Sequence, residues 1–317
     1  MVDNKNQSKT QNSPGVVSQI KEMLSEENIK GRFNEVLGKK APNFMASIVN
    51  VVAASPQLKQ CQPNSILAAA FVAASFDLPI DSNLGFAALV PYDKSIKNPS
   101  TGEWGKIKLA QFQIMYKGFI QLAIRSGYYK RMNYAVVYED ELKSYNPITG
   151  EIEFVDDFSQ CTLRAQGVEE TVAGYYARFE LTVGYVQELF MSKQAVDNHA
   201  RKYSQSYRSD INKGEKKSNW STDFQSMALK TVIKQLLSKW GILSIEMQKA
   251  ITDDQKTFDE NGIGSYGDNQ PDVIEAEDPF IQIEFQVDGQ QEAIQNQNTT
   301  AEMIGDNQLD GLELEEV

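Results

Sequence analysis

Apolar positions follow two periods along this chain, and the switches between them mark its organisation. Residues 29–52 carry apolar side chains at helical spacing and read as one or two helices broken near Pro42. Residues 63–76 predict another helix, with Pro63 close to its start and Asn64 or Ser65 near the cap. The period then shortens to two. Residues 86–92 read as a strand, and 106–114 alternate Ile107, Leu109, Gln111 and Gln113 against Lys108, Ala110, Phe112 and Ile114. The polar stretch 93–105, with Asn98-Pro99, Thr101-Gly102 and Trp104, predicts a long hairpin connection. A short helix over 116–125 ends at Gly127. Further strands are expected at 133–138, 161–165 and 172–183, where Tyr175, Ala177, Phe179 and Leu181 share one face. Helical spacing returns over 192–203 and 222–240. Strands bracketed by helices, without regular alternation, predict an α+β fold: a small, mostly antiparallel sheet with a long hairpin, flanked by helices. No internal repeat is evident.

The ends of the chain differ in composition from this middle. Residues 1–28 are rich in Asn, Gln, Ser and Lys and read as a flexible amino-terminal arm, 29–250 as the core, and 251–317 as an acidic, largely disordered tail. Within the tail Phe280, Ile281, Ile283, Phe285 and Val287 alternate like a strand, which leaves a docking strand or plain disorder open. With 317 residues, 41% apolar and 10% aromatic, the chain is long enough for one sizeable core. The longest apolar run, 66–74, falls short of the roughly 18 residues of a membrane helix. The polar start, MVDNKNQSKTQNSPG, has no apolar centre of a secretory signal. A soluble, cytoplasmic protein is expected.

Charge changes the picture more. The net charge of −12 conceals a division, because residues 251–317 hold Lys256 alone against 18 acids. Residues 1–250 keep 30 basic and 25 acidic side chains, or +5. Three basic clusters stand out in that body. Lys117, Gln121 and Arg125 form one polar stripe on the helix over 116–125, with Ile120, Ala123 and Ile124 opposite and Lys106 and Lys108 on the preceding strand. Lys193, Arg201, Lys202, Arg208, Lys213, Lys216 and Lys217 are interleaved with Tyr203, Tyr207 and Trp220, and the Ser and Gly between them predict a mobile loop. Lys230 and Lys234 flank the apolar stripe of the helix ending at Trp240, a tryptophan expected in the core. Cations with aromatic faces suit a single nucleic-acid strand, which presents phosphates and exposed bases.

Catalytic chemistry has fewer seats. No GxxxxGK[ST] loop occurs, so nucleotide hydrolysis is not expected. His199 is the only histidine, which leaves histidine triads and histidine-rich zinc sites little to work with. Cys61 and Cys161 give neither a disulfide framework nor a metal-ligand spacing and read as half-buried thiols. Glu139, Asp140, Glu141 and Lys143 offer the carboxylate-and-lysine elements of a metal-dependent nuclease, an alternative kept beside a passive single-strand-binding protein.

Four segments, FNEVLGKKAPNFMASI, FDLPIDSNLGFAALVPY, AQFQIMYKGFIQLAIRSGYY and LKTVIKQLLSKWGILSIEMQKA, stand in an order and spacing that resembles the RecT family of phage and prophage single-strand annealing proteins over residues 33–250. The resemblance implies an ATP-independent recombinase, not an enzyme, in the bacterial cytoplasm. It would coat single-stranded DNA as a homo-oligomer, ring or helical filament, and pair complementary strands into duplex. It further implies a 5′–3′ exonuclease and host single-strand-binding protein as partners, and no cofactor, with magnesium acting only as a modulator of DNA binding. Carried onto matching positions, it places Lys108, Gln111, Gln113, Tyr116, Lys117, Gln121 and Arg125 on or beside a DNA groove, with Lys202, Lys230 and Lys234 lining it. Residues 93–105 look longer than the family requires, and 210–217 look inserted before Trp220. The acidic tail would mimic DNA, dock a partner, or only add solubility.

Overall fold

Short apolar stripes at helical spacing build the amino-terminal part of the molecule. The computed structural model describes residues 14–81, 83–97, 102–258 and 264–266. Contacts group residues 1–272 into one unit and 273–317 into another, and every described residue belongs to the first. The expected strand at 280–287 and the acidic tail beyond 266 lie outside the described residues.

Helix α1 (Val16–Ser25) buries Ile20 and Leu24, one turn apart, and α2 (Glu27–Leu37) buries Phe33 and Leu37. Residues 16–28, expected in a flexible arm, are therefore packed structure. A two-residue apolar stripe suffices to seat α1 but does not stand out from its polar surroundings. Helix α2 ends at Gly38, whose φ of 53° with ψ of −127° suits glycine alone. A 3-10 turn leads into α3 (Ala41–Ala54), with Pro42 in its first turn, where a missing N–H costs nothing. The break thus falls at Gly38, and Pro42 starts the next helix.

In α4 (Pro63–Ser75) Ile66, Leu67 and four alanines are buried, and such small side chains let other elements approach closely. Its cap is Gln62, not Asn64 or Ser65. Ser65 instead donates to the Gln62 carbonyl at 2.7 Å and accepts the Ala110 N–H at 2.9 Å, while the Gln62 N–H donates to the Lys108 carbonyl at 2.9 Å. These bonds tie α4 to the hairpin of β1 (Ala87–Lys97) and β2 (Trp104–Ile114), paired antiparallel from Ala87↔Ile114 to Lys97↔Trp104. The inner half of β2 is buried, with Phe112 stacked 5.9 Å from Phe76. Asp93, Lys94 and Ser95, expected in the connection, pair with Lys108, Ile107 and Lys106 instead. Where the ribbon becomes solvated, alternation fades from the sequence although the ladder continues.

Helix α5 (Tyr116–Arg125) buries Gly118, Phe119, Leu122 and Ala123. A Cβ on Gly118 would collide with the Phe86 carbonyl oxygen and the Ile114 side chain, so glycine sets the approach of α5 to the hairpin. Ile124, expected on the packed face, is 54% exposed. Next come β3 (Tyr129–Tyr138), β4 (Leu142–Tyr145), β5 (Ile152–Phe154), α6 (Leu163–Gln166), β6 (Val172–Leu181) and β7 (Val186–Ser192). An antiparallel sheet runs in the order β3-β6-β7. Tyr175, Ala177, Phe179 and Leu181 are all buried on β6, as their alternation predicted. The β4/β5 hairpin, which periodicity missed, packs against Val137, Tyr176 and Phe190, so β6 is covered on both faces. The strand expected at 161–165 is instead an irregular entry, Cys161 and Thr162, into the short helix α6, because the Asp140 carboxylate accepts the N–H groups of Thr162 at 2.7 Å and Leu163 at 3.0 Å.

The chain closes through α7 (Lys193–Tyr203), α8 (Gln205–Lys213), α9 (Asn219–Thr222), α10 (Phe224–Trp240), α11 (Ile245–Asp253), β8 (Lys256–Phe258) and β9 (Gly264–Tyr266). Helix α10 is buried along most of its length and packs against α5 and the sheet. Residues 251–258, assigned to the tail by composition, are packed: Ile251, Asp254, Thr257 and Phe258 are buried. Among the described residues no helix is long and apolar enough to cross a membrane.

Candidate nucleic-acid interface

A groove of about 870 Å³ opens between the β1/β2 ribbon and the run of helices from α7 to α10. On the ribbon side it is lined by Tyr92, Asp93, Lys106, Gln111 and Gln113, and on the helical side by residues including Tyr203, Lys213, Lys217, Trp220 and Lys230. Among its described lining residues Lys106, Lys213, Lys217 and Lys230 are matched in number by Asp93, Asp210, Glu215 and Asp223. Uncharged hydrogen-bonding groups dominate, with glutamines at 57, 111, 113, 205 and 255 and hydroxyls at 204, 206, 209, 218, 226 and 231. Such a surface meets phosphate and sugar oxygens through amides and hydroxyls, with a smaller cationic share than the body's net charge suggested.

The groove floor is held by contacts distant in sequence. Gln113 donates through Nε2 to Gln111 Oε1 at 2.9 Å, and Gln111 donates through its own Nε2 to the Gln255 carbonyl. Gln255, at φ 71°, returns its N–H to the Phe112 carbonyl at 3.0 Å. Beside it, Asp254 accepts Lys230 Nζ at 3.0 Å, Lys234 Nζ at 3.3 Å and the Ile114 N–H at 2.9 Å. Lys230 and Lys234 are therefore buried members of an ion-pair network, with only Lys230 reaching the groove lining. No sequence signal pointed to Asp254 or Gln255, because both sit where the composition turns acidic.

The wall from α7 to α9 is ordered, not a mobile loop. Asp210 is buried and accepts the N–H groups of Lys217 at 2.9 Å and Ser218 at 2.8 Å and the Ser221 hydroxyl at 2.6 Å. Burial alone pushes its carboxyl up, but these donors outweigh that and hold it down at about 2. A folded value below the ordinary 3.8 means the carboxylate stabilises the wall above pH 4 and that this contribution fades as pH falls from 4 towards 2. Trp220, 8% exposed and 6.1 Å from Tyr207, reports on that wall. Its emission is expected to shift over this acid range in the wild type, and Asp210→Asn is expected to abolish the step. A wild-type profile flat between pH 4 and 2 would refute the assignment.

The remaining sequence-expected residues scatter around the groove. Lys108 pairs with Asp93 at 3.5 Å. Tyr116 packs edge-on to Tyr134 at 5.1 Å, and burial, reinforced by its hydrogen bond with Tyr134, pushes its hydroxyl up to about 12. Lys117 is exposed and Gln121 half-buried on α5, outside the groove lining. Lys202 lies 4.9 Å from the Tyr203 ring at the rim. Arg125 points elsewhere: it pairs with Glu246 at 2.5 Å and Asp77 at 3.7 Å and donates to the Phe76 carbonyl at 2.6 Å. Of the second basic cluster, Arg208 bonds the carbonyls of Arg201 and Lys202, Arg201 pairs with Asp197, and Lys193 bonds the Glu169 carbonyl. Trp220 is buried, and Trp240, expected in the core, is 39% exposed.

Two of the three acids considered for a nuclease, Asp140 and Glu141, have structural partners. Glu141, 3% exposed, accepts Arg164 at 2.5 and 2.8 Å and the Tyr138 N–H at 2.9 Å, while Asp140 caps α6. Cys61 is buried, which pushes its thiol up to about 11.

Comparison with known proteins covers the same core. The model of the RecT family matches residues 42–266, which spans the hairpin, the sheet, the groove and Asp254. The chain is 41% identical to "Uncharacterized protein YqaK" of Bacillus subtilis over 258 residues, 81% of this chain and 79% of that protein. It is 30% identical to "Protein RecT" of Escherichia coli over 201 residues, 63% of this chain and just under two thirds (66%) of that protein. With most of its length matched by the family model, the chain belongs to the RecT family, a family of single-strand annealing proteins in DNA recombination.

Proposed function

We propose that this protein binds single-stranded DNA along the groove and pairs it with a complementary strand, as an oligomer and without ATP. The groove's lining carries this reading: lysines at 106, 213, 217 and 230 set among glutamines and serines, within the segment that the family model covers. Gln111, Gln113 and Lys230 line the groove directly, Lys108, Tyr116, Lys117, Gln121 and Lys202 act from its margins, Lys234 acts by holding α10 in the groove wall, and Arg125 acts only at a distance, by joining the end of α4, α5 and α11. Contacts to phosphate and sugar fix the strand without consuming its base edges. Held in one conformation, the strand loses less entropy when it finds register with its complement, and base pairing supplies the driving force. A single groove meets too few phosphates to hold a strand at physiological salt, so several subunits share one strand, as a ring or a filament.

The setting we infer is the cytoplasm of a bacterial host, with a 5′–3′ exonuclease to expose the strand and host single-strand-binding protein nearby. Magnesium would modulate DNA binding and take no part as a cofactor. Complementary labelled oligonucleotides incubated with the protein, without ATP, are expected to anneal faster than alone. Annealing at the spontaneous rate despite strand binding would favour passive coating, and shortening of the labelled strand with magnesium would favour a nuclease; either result defeats the proposal.

A further inference from the structure

The groove climbs the β1/β2 ribbon as far as Asp93 and Lys106. Two residues farther out on the same strand stands Trp104, 72% exposed and paired in register with Lys97. Alternation along a strand puts Trp104, Lys106 and Lys108 on one face, with Ser95 and Asp93 as the cross-strand partners of the two lysines. The indole therefore follows Lys106, the outermost cation of the groove lining, on the ribbon face opposite that of Gln111 and Gln113. Among the residues whose side chains are described, which do not include Lys97, no aromatic ring or cation packs on it, whereas Trp220 lies against Phe224 and Tyr207 and Trp240 lies near Lys239.

Resting on the reading of a DNA strand in the groove, we propose that Trp104 is a stacking platform for a nucleobase at the groove's outer end. Two kinds of partner take an exposed indole: an apolar protein surface or an aromatic base. Docking on a protein favours a contiguous apolar patch, and the neighbours sharing the face of Trp104 are lysine, serine and aspartate. Base stacking uses only the ring face and tolerates polar surroundings, while the adjacent lysines meet the phosphates on either side. The contact is indifferent to base identity, as annealing of any sequence requires.

The full-length protein and fluorescein-labelled oligothymidylate test this. Trp104→Ala is expected to weaken binding roughly 5- to 150-fold, the effect of losing one stacked base, with Trp104→Phe keeping most of the affinity. Both variants should keep the wild-type melting temperature, because the side chain is exposed. Unlabelled oligothymidylate should quench the wild-type tryptophan emission, and Trp104→Phe should lose most of that quench while still binding. An affinity of Trp104→Ala within twofold of wild type, or an undiminished quench in Trp104→Phe, overturns the assignment. So does a loss of self-association with unchanged DNA affinity, which would make the tip a contact between copies of the chain. Failure of the wild type to bind oligothymidylate would instead defeat the functional reading itself.

Discussion

Asp254→Ala is expected to destabilise the protein by about 3–5 kcal/mol, a large part of the roughly 5–15 kcal/mol that holds a typical domain. The Asp254 side chain is fully buried, and those of Lys230 and Lys234 are 3% and 8% exposed. Deleting the carboxylate leaves the Lys230 ammonium in a low-dielectric site without its counter-charge and frees the Ile114 N–H of its acceptor. Asp254→Asn should fall between the two, because an amide oxygen still accepts from Ile114 but carries no charge. Thermal melts of the three proteins check this. A chain ended at 252 should behave at least as badly as the alanine variant, whereas one ended at 272 should melt like the full chain, since every contact of Asp254 described above is kept. Equal melting temperatures for Asp254→Ala and wild type would show that the pair is not what anchors this turn.

The second large effect is expected at the groove. Changing Lys106 and Lys213 together to alanine should lower the magnitude of the salt slope of single-strand binding by about 1.4 and weaken affinity roughly tenfold at physiological salt, two phosphate contacts being lost. Both lysines are exposed in the groove lining, so the melting temperature should not move. Arg125→Ala makes the contrast. Its guanidinium joins the end of α4, α5 and α11 through Phe76, Asp77 and Glu246, and its removal should cost about 1–3 kcal/mol of stability with little change in salt slope. Fluorescence anisotropy at several salt concentrations, beside thermal melts, separates the two. A salt slope unchanged in the double lysine variant would remove this groove as the strand's seat.

Both predictions turn on residues that the sequence displayed unevenly. Arg125 was visible as part of a basic stripe with Lys117 and Gln121, yet the stripe itself said nothing of Glu246, 121 residues away. Gln111 and Gln113 were visible by alternation, and the groove confirms that they share a wall. The serines between 204 and 218 looked like a flexible connection, because a buried carboxylate at Asp210 that gathers three donors has no local pattern. The outer half of the hairpin looked like a loop because strands solvated on both faces lose the alternation that reveals them.

What the sequence determined by itself was everything that depends on near neighbours. Helical stripes at α3, α4, α5 and α10, the face of β6 that carries Tyr175, Ala177, Phe179 and Leu181, and the ordered segments shared with the RecT family all follow from spacings within a few residues. The tertiary structure alone decided which charges face water. Lys230 and Lys234 read as cations on a helix flank until Asp254, from a segment that composition assigned to the tail, folds back to bury them. Periodicity is written locally, whereas desolvation and ion pairing depend on which distant residues the fold brings together, and no short window of sequence contains both partners.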